Sequence, residues 1–517
     1  MTTQDAQPGP PGIMPGPGEP VRWLKVIDQT RCIGCHACTT ACKSENEVPL
    51  SVTRTYVKSV DTGVFPEARR AFQVTRCNQC EDAPCVAACP TAAMFTRPDG
   101  IVDFDKDACI GCKACMAACP YDAIFINPED HSAEKCNLCA HRIDSGLEPA
   151  CVVVCPTQAI LVGPAGGSPA ASIVAREPVT VRRPEKGTKP KLFYRGATQA
   201  TLDPLAARRP AGDTFAWSEV QRGPGQVVSG HPGGGNSSAA ALLSYDIGHR
   251  APWDWRVSLY TWTKGVAAGA YLVAVLGTLA GYLSWHSALT VWAAPLIAAV
   301  FLAATGGLLV WDLEHPRRFG YILTRPQWRS WLVRGGVILA GYAAALGLFL
   351  LAWLTGSTGL RQAVAVPGVP LAALAAVYTA YLFAQAKARD LWQNPLLPAH
   401  LLIQAGVAGS AALLPAAAWW QPSAAGWLEW LLLGTCAAHL LLVLGEAAIS
   451  HPTEHARLAA HEMTRGAFAG LFWAGFGLVA AGMTAPVAGA WAAPLALAGL
   501  AAYEHAYVQA GQCVPLA

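Results

Sequence analysis

Cys32-Ile33-Gly34-Cys35-His36-Ala37-Cys38-Thr39-Thr40-Ala41-Cys42 opens a ladder of sixteen cysteines that ends at Cys155. The ladder falls into four groups of four. The second group is Cys77, Cys80, Cys85 and Cys89, and the third is Cys109, Cys112, Cys115 and Cys119. The fourth is Cys136, Cys139, Cys151 and Cys155. Groups one and three carry the C-x2-C-x2-C-x3-C spacing of bacterial ferredoxins, in which three thiolates hold one cubane and the fourth reaches another. Sixteen thiolates therefore predict four 4Fe–4S clusters. No position has lost its thiolate, so no three-iron cluster is expected.

Other uses of cysteine fit less well. A disulfide framework suits a small secreted chain, and this one shows no secretory signal. Zinc sites rarely give four quartets with Pro after the last Cys, as at Cys89-Pro90, Cys119-Pro120 and Cys155-Pro156. Lys43, after Cys42, departs from that pattern. Short strand-like runs such as Ala123-Ile124-Phe125-Ile126 follow the cysteines. The groups recur as internal repeats. Together they predict an α+β duplicated bacterial-ferredoxin-like domain over residues 22–165. Residues 1–21, rich in Pro and Gly, are expected to be a disordered tail. Residues 166–250 are expected to be an extended strap that ends in a flexible linker around Gly233-Gly234-Gly235-Asn236-Ser237-Ser238.

Beyond about residue 250 the composition changes. The 517 residues average 53% hydrophobic and 14% charged, but the apolar share concentrates here. Each of eight runs approaches or exceeds the roughly 20 residues that a bilayer core demands. They are 258–283, 289–311, 331–355, 368–388, 396–419, 426–448, 466–484 and 488–509. An all-α membrane domain of eight transmembrane helices over 251–517 follows. With eight spans, the N-terminus, the even-numbered connections and the C-terminus share one side. That side holds Arg250, Arg256, Arg317, Arg318, Arg325, Arg329, Lys387, Arg389, Arg457 and Arg465, and the other holds Arg361 alone. The positive-inside rule then predicts a multi-pass protein of the inner (cytoplasmic) membrane, with its iron–sulfur domain on the cytoplasmic side. A net charge of +3 gives no sign of nucleic-acid binding.

The cysteine groups, with Arg76-Cys77-Asn78-Gln79-Cys80 and Lys135-Cys136-Asn137-Leu138-Cys139-Ala140-His141-Arg142, resemble the four-cluster electron-transfer subunits of molybdopterin oxidoreductases. That family serves dimethyl sulfoxide reductase, polysulfide reductase and formate dehydrogenase. The resemblance implies a crossed pairing. Cys32, Cys35, Cys38 and Cys155 would hold one cluster, and Cys42, Cys136, Cys139 and Cys151 another. Cys77, Cys80, Cys85 and Cys119 would hold a third, and Cys89, Cys109, Cys112 and Cys115 the fourth. Asp312-Leu313-Glu314-His315-Pro316-Arg317-Arg318-Phe319, Val377-Tyr378-Thr379, the Lys387–Pro395 stretch and Ala510-Gly511-Gln512 resemble the polysulfide-reductase-type (NrfD-like) membrane subunits. Those subunits react with quinones, and their resemblance implies menaquinone or ubiquinone as cofactor and no haem. The two families are ordinarily separate subunits, and here they are fused.

No phosphate loop, nucleophilic triad or pterin-binding domain is visible, so the chain carries no site for a primary substrate. A separate molybdopterin (Mo or W) catalytic subunit is implied as partner. Ionisable groups near membrane depth are candidates for function. Tyr260, Lys264, Asp312, His315, Tyr378, Lys387, Arg389 and His400 all fall at cluster-side span ends and are expected to bind quinone in one pocket. Glu446 and Glu504 are expected on a proton path. Cys436 and Cys513 read as ordinary buried thiols. Competing readings keep the wire with a nickel–iron hydrogenase or multihaem cytochrome as partner. Others make the membrane half a passive anchor or an ion-translocating module. A haem-bearing membrane half would use His400, His439 and His505 as ligands.

Overall fold

The computed structural model describes residues 22–63, 65–207 and 241–516. The expected N-terminal tail and the glycine-rich part of the linker lie outside the described residues.

The first half is built from short elements between cysteine loops. Its strands are β1 (Trp23–Asp28), β2 (Thr55–Thr62), β3 (Arg69–Arg76), β4 (Met94–Thr96), β5 (Val102–Phe104), β6 (Ile124–Ile126), β7 (Ala133–Lys135), β8 (Ile160–Pro164), β9 (Val179–Thr180), β10 (Leu192–Arg195) and β11 (Leu242–Tyr245). Its helices are α1 (Ala37–Glu45), α2 (Pro84–Ala88), α3 (Ala114–Ala118), α4 (Ala140–Asp144), α5 (Ala150–Val153), α6 (Pro169–Arg176) and α7 (Gln199–Leu202). One sheet has the order β8-β1-β10-β9, another β11-β2-β3, and β4–β5 and β6–β7 are separate hairpins. The duplication shows in the backbone. Gly34 and Gly111 take φ of 68° and 69°, and His36 and Lys113 take 59° and 61°. The two ferredoxin-spaced loops thus turn the same way, with left-handed residues two apart.

Residues 166–207 do more than strap the surface. β10 pairs in parallel with β1 at the centre of its sheet, and its Leu192 and Tyr194 are buried in the core. The first fold therefore continues past residue 165. Leu192-Phe193-Tyr194-Arg195 alternates buried and half-buried positions, as a strand with one covered face must.

The second half is helical: α8 (Trp255–Leu279), α9 (Ala294–Trp311, extended back to Leu289 by a π turn), α10 (Tyr321–Thr324), α11 (Trp331–Leu354), α12 (Thr358–Gln385), α13 (Leu397–Trp420), α14 (Pro422–Ala448), α15 (Glu454–Thr464), α16 (Ala469–Gly482), α17 (Ala485–Ala488) and α18 (Ala492–Cys513). Among the described residues, seven helices are long and apolar enough to cross a membrane, the last running Ala485–Cys513 through α17 and α18. An eighth crossing exists only if α15 and α16, bent by 68° at their break, count as one span. The seventh expected span is therefore shorter than its apolar run. The 14 residues of α16 reach only about 21 Å, against about 30 Å of hydrocarbon. Arg465 and Gly466 interrupt the helix, and Glu462 accepts the Ala467 N–H at 3.0 Å to turn the chain. α8 is the central helix, buried along most of its length among α9, α12, α13 and α18. Leu348, Leu351, Val366, Trp430 and Leu441 face outward, as lipid contact favours.

Candidate electron path and membrane site

The sixteen thiols gather into four rings. Cys32, Cys35, Cys38 and Cys155 line the outermost cavity. Cys77, Cys80, Cys85 and Cys119 line another, and Cys89, Cys109, Cys112 and Cys115 an innermost one. Cys42, Cys136, Cys139 and Cys151 complete the set within electrostatic reach of one another. The Asn46 side-chain amide donates to the Cys42 and Cys139 sulfurs at 3.7 and 3.8 Å. Backbone N–H groups also point at sulfur, from Gln79 to Cys77, Met94 to Cys89, Gly111 to Cys109 and Ala159 to Cys155. Burial, then neighbouring thiols, pushes Cys42 and Cys80 up to about 12. Thiolates are held by positive charge from a bound metal group, and rings of four thiols, twelve of the sixteen buried, fit an iron–sulfur cubane.

The rings stand in single file. Cys38 of the outermost ring acts electrostatically on Cys151 of the second. Lys135 links the second to the third, donating to the Cys136 carbonyl at 3.3 Å while its charge acts on Cys85. Cys85 in turn acts on Cys115 of the innermost ring. Cys35 is exposed at one end of this file.

At the other end, the innermost ring meets the membrane half directly. The Trp253 indole N–H donates to the Cys112 carbonyl at 3.1 Å. The Glu314 and His315 N–H groups donate to the carbonyls of Gly111 and Ile110 at 3.5 and 3.2 Å. Lys113 pairs with Glu314 at 3.0 Å and with Asp312 at 3.5 Å. Burial pushes Asp312 up to about 6, with Lys113 and Arg256 opposing. The α9–α11 connection wraps the same ring: Arg318 donates to the Cys109 carbonyl, Gln327 to that of Pro90, and Ser330 to that of Ala88.

Inside the bundle, one turn of α8 gathers the buried polar groups. Lys264 donates to the Ala376 carbonyl at 2.7 Å and the Thr379 hydroxyl at 2.6 Å, and its ammonium lies 4.7 Å from the Tyr378 ring centre. Tyr260 lies one turn before Lys264, with its hydroxyl buried beside Thr379. Thr261 donates to the Glu504 carboxylate at 2.6 Å. Between this cluster and the innermost ring lie Trp253, Trp392 and Phe383, stacked with ring centres 5.6 and 4.6 Å apart.

The remaining candidates do not join that cluster, so the residues expected at one pocket fall into separate groups. Helical periodicity turns residues at neighbouring span ends toward different faces. Asp312 and His315 lie at the junction with the cysteine loops, with the His315 ring 6.5 Å from that of His131. Lys387 is exposed beside Glu81 and Arg329. Arg389 is buried and donates to the carbonyls of Gln512 and Val514. His400 hydrogen-bonds His439 at 2.9 Å, against Tyr503, and Glu446 accepts from Asn394 at 3.1 Å. From the sequence, Thr379 was quoted in a motif without a role, and Trp253, Lys113 and Thr261 were passed over. Lys113 sits inside a cysteine motif and Trp253 just before an apolar run, and both were signals of contact.

Residues 68–165 match the family described as 4Fe-4S dicluster domain, and residues 29–48 a 4Fe-4S binding domain. The B subunit of tetrathionate reductase from Salmonella typhimurium is 41% identical over 207 residues, covering 38% of this chain and 81% of that protein. The B component of polysulfide reductase from Wolinella succinogenes is 43% identical over 173 residues, 32% of this chain and 91% of its own. Protein NrfC of Escherichia coli K12 is 41% identical over 178 residues, 34% and 80% respectively. Residues 246–498 match the family described as Polysulphide reductase, NrfD. The chain belongs to the iron–sulfur electron-transfer subunits of this kind, fused to an NrfD-type membrane domain. In this fused subunit the iron–sulfur part and the NrfD part meet at Cys112, Trp253 and Asp312, where the two family matches abut in space.

Proposed function

We propose that the chain relays electrons between a separate catalytic subunit and a membrane quinone through four 4Fe–4S clusters, one per thiol ring. The single file of rings, exposed at Cys35 and pressed on the membrane half at Cys112, carries this reading. Each cluster, when bound, takes up and releases one electron. The chain's residues do the rest. Thiols and N–H···S bonds hold each site, and buried packing keeps water from it. Trp253 seats the last ring above α8. Lys264, Tyr260 and Tyr378 offer one carbonyl of a quinone headgroup its donors, and Glu504 with Thr261 offers a proton acceptor beside them. His400, His439 and Glu446 form a second buried polar set for proton movement.

The partner is proposed to be a molybdopterin-type reductase subunit, supported by relatives named as components of tetrathionate and polysulfide reductases. The basic connections on the cluster side support placing the iron–sulfur half in the cytoplasm. Quinol-driven cluster reduction in membrane vesicles tests the pocket. Lys264→Met and Tyr378→Phe should each slow it at least tenfold while dithionite still reduces every cluster. Unchanged rates in both variants would favour the passive-anchor reading.

A further inference from the structure

A cleft of about 290 Å³ opens at the seam between the two halves, away from the electron path. One wall belongs to the iron–sulfur half and carries Glu81, Asp82 and Val86 of α2. The other belongs to the membrane half and carries Arg329 before α11, Gln385 at the end of α12 and Lys387 beyond it. The hydrogen bonds around the cleft hold its walls in place. The Gln385 side-chain oxygen accepts the Trp331 N–H at 2.7 Å, and its amide donates to the Arg329 carbonyl at 2.8 Å. Both helix ends are thus tied where the cations emerge. Ser330 donates to the Ala88 carbonyl at 2.8 Å and holds α2 over the same helix ends.

The side chains of Arg329 and Lys387 have no ion-pair or hydrogen-bond partner among the described residues. Glu81 pairs with Arg22 and Asp82 with Lys189, each at 2.9 Å, but these side chains are 47–65% exposed. Exposed pairs of this kind are weak, so both carboxylates can take another cation. An aromatic shelf lies just below the cleft, toward the bilayer. Tyr381, one turn before Gln385, is 40% exposed and stacks on Trp331 with ring centres 4.4 Å apart. The Arg334 guanidinium caps the stack, 5.0 Å from the Trp331 ring centre. Trp328 is exposed beside it. Exposed Trp and Tyr at helix ends mark the headgroup level of a bilayer, which puts the cleft at the membrane surface. Two turns further along α12, Leu374 continues the same outward stripe.

We propose that this cleft binds the headgroup of one phospholipid that carries a primary amine, of the phosphatidylethanolamine class. The charges stand in the order such a headgroup needs. Cations on the membrane wall meet the phosphate, and carboxylates across the cleft meet the ammonium. A soluble anion would be drawn to the cations but repelled by the facing carboxylates, whereas a headgroup of both signs satisfies both walls. Basic clefts between helix ends are where lipid headgroups are held. The acyl chains lie along Tyr381 and Leu374. A lipid so placed fills the seam between α2 and the ends of α11 and α12, which protein contacts leave open.

The test uses the full-length chain purified in mild detergent, with iron analysis of each preparation. It is exchanged into detergent containing phosphatidylethanolamine, phosphatidylcholine or phosphatidylglycerol, and native mass spectrometry counts the lipid that stays bound. The unaltered protein should retain phosphatidylethanolamine about fivefold over phosphatidylcholine, whose quaternary ammonium has no N–H for the carboxylates. Replacing both cations, Arg329→Gln with Lys387→Gln, should cut retention about tenfold. Glu81→Gln with Asp82→Asn should keep a lipid but lose the preference for the primary amine. Arg465→Gln, at an exposed cation of another span end, should change nothing. Equal retention of all three lipids, or full retention without both cations, would show annular lipid only and overturn the proposal. Displacement by an equal concentration of glycerophosphoethanolamine, the same headgroup without chains, would overturn it too, because the site would then recognise a soluble phosphate ester. So would an iron-replete unaltered protein that retains no lipid. If a double variant loses iron, its two single substitutions decide.

Discussion

His249 sits between two carboxylates, 2.5 Å from Asp122 of the iron–sulfur half and 3.1 Å from Asp246 of the connector, with the Tyr56 ring 5.8 Å away. Burial alone would lower its pKa, but Asp246 and Asp122 outweigh burial and push it up to about 9. A raised folded value means the imidazolium stabilises the fold fully below about pH 6.5, its unfolded value, and less as pH climbs through about 9. The thermal midpoint of cluster bleaching should therefore fall between those pH values, and His249→Gln should lower the midpoint at pH 6 and flatten that dependence. Gly111 shows how tight the nearby junction is. A Cβ there would lie 2.4 Å from the Glu314 side chain, and its φ of 69° already favours glycine. At this scale the sequence was readable where chemistry fixes identity. Cluster ligands must be thiols at fixed spacing, and Lys264 stands out as a charge in an apolar run. His249 was not legible, because a histidine in a mixed segment gains meaning only from what folding brings beside it.

Among elements, α18 seats the start of α8, beside which Trp253 meets the innermost ring. Its Gln512 is fully buried and accepts the Trp253 N–H at 3.1 Å while donating back to the Trp253 carbonyl. One turn of helix thereby satisfies the backbone just before α8. At Gly511 a Cβ would fall 2.0 Å from the Trp392 indole nitrogen, so the Ala510-Gly511-Gln512 signature is a close-packing requirement. Gln512→Leu would leave two buried backbone groups unpaired, about 1–3 kcal/mol for each. The variant should unfold at a lower temperature in detergent and lose quinol-driven cluster reduction before it loses iron. Helix existence was legible from apolar length, since lipid admits little else. The bend between α15 and α16 was not, because an apolar run does not reveal where Glu462 will turn the chain. Nor was β10, whose four residues are too short to stand out until β1 pairs with them.

Over the whole molecule, a cysteine-ringed half and a helical half share one chain and one junction. Purified with its partner in mild detergent, the complex should hold about 16 irons per copy of this chain, four to each cubane. Molybdenum or tungsten should accompany them, and nickel in their place would move the partner to a hydrogenase. Fold class and division into halves were legible because composition changes abruptly near residue 250. The junction was not, since Arg182 reaching the Leu516 carbonyl joins residues 334 positions apart. The Trp253–Gln512 contact likewise spans 259 positions. That separation sets an order of events in the making of the protein. The cysteine-bearing segment leaves the ribosome first, yet the surface that seats it is completed only when the last helix is in the bilayer. Metal loading and membrane insertion are thus separable in time, and the early half must keep its shape alone until the late half arrives to hold it.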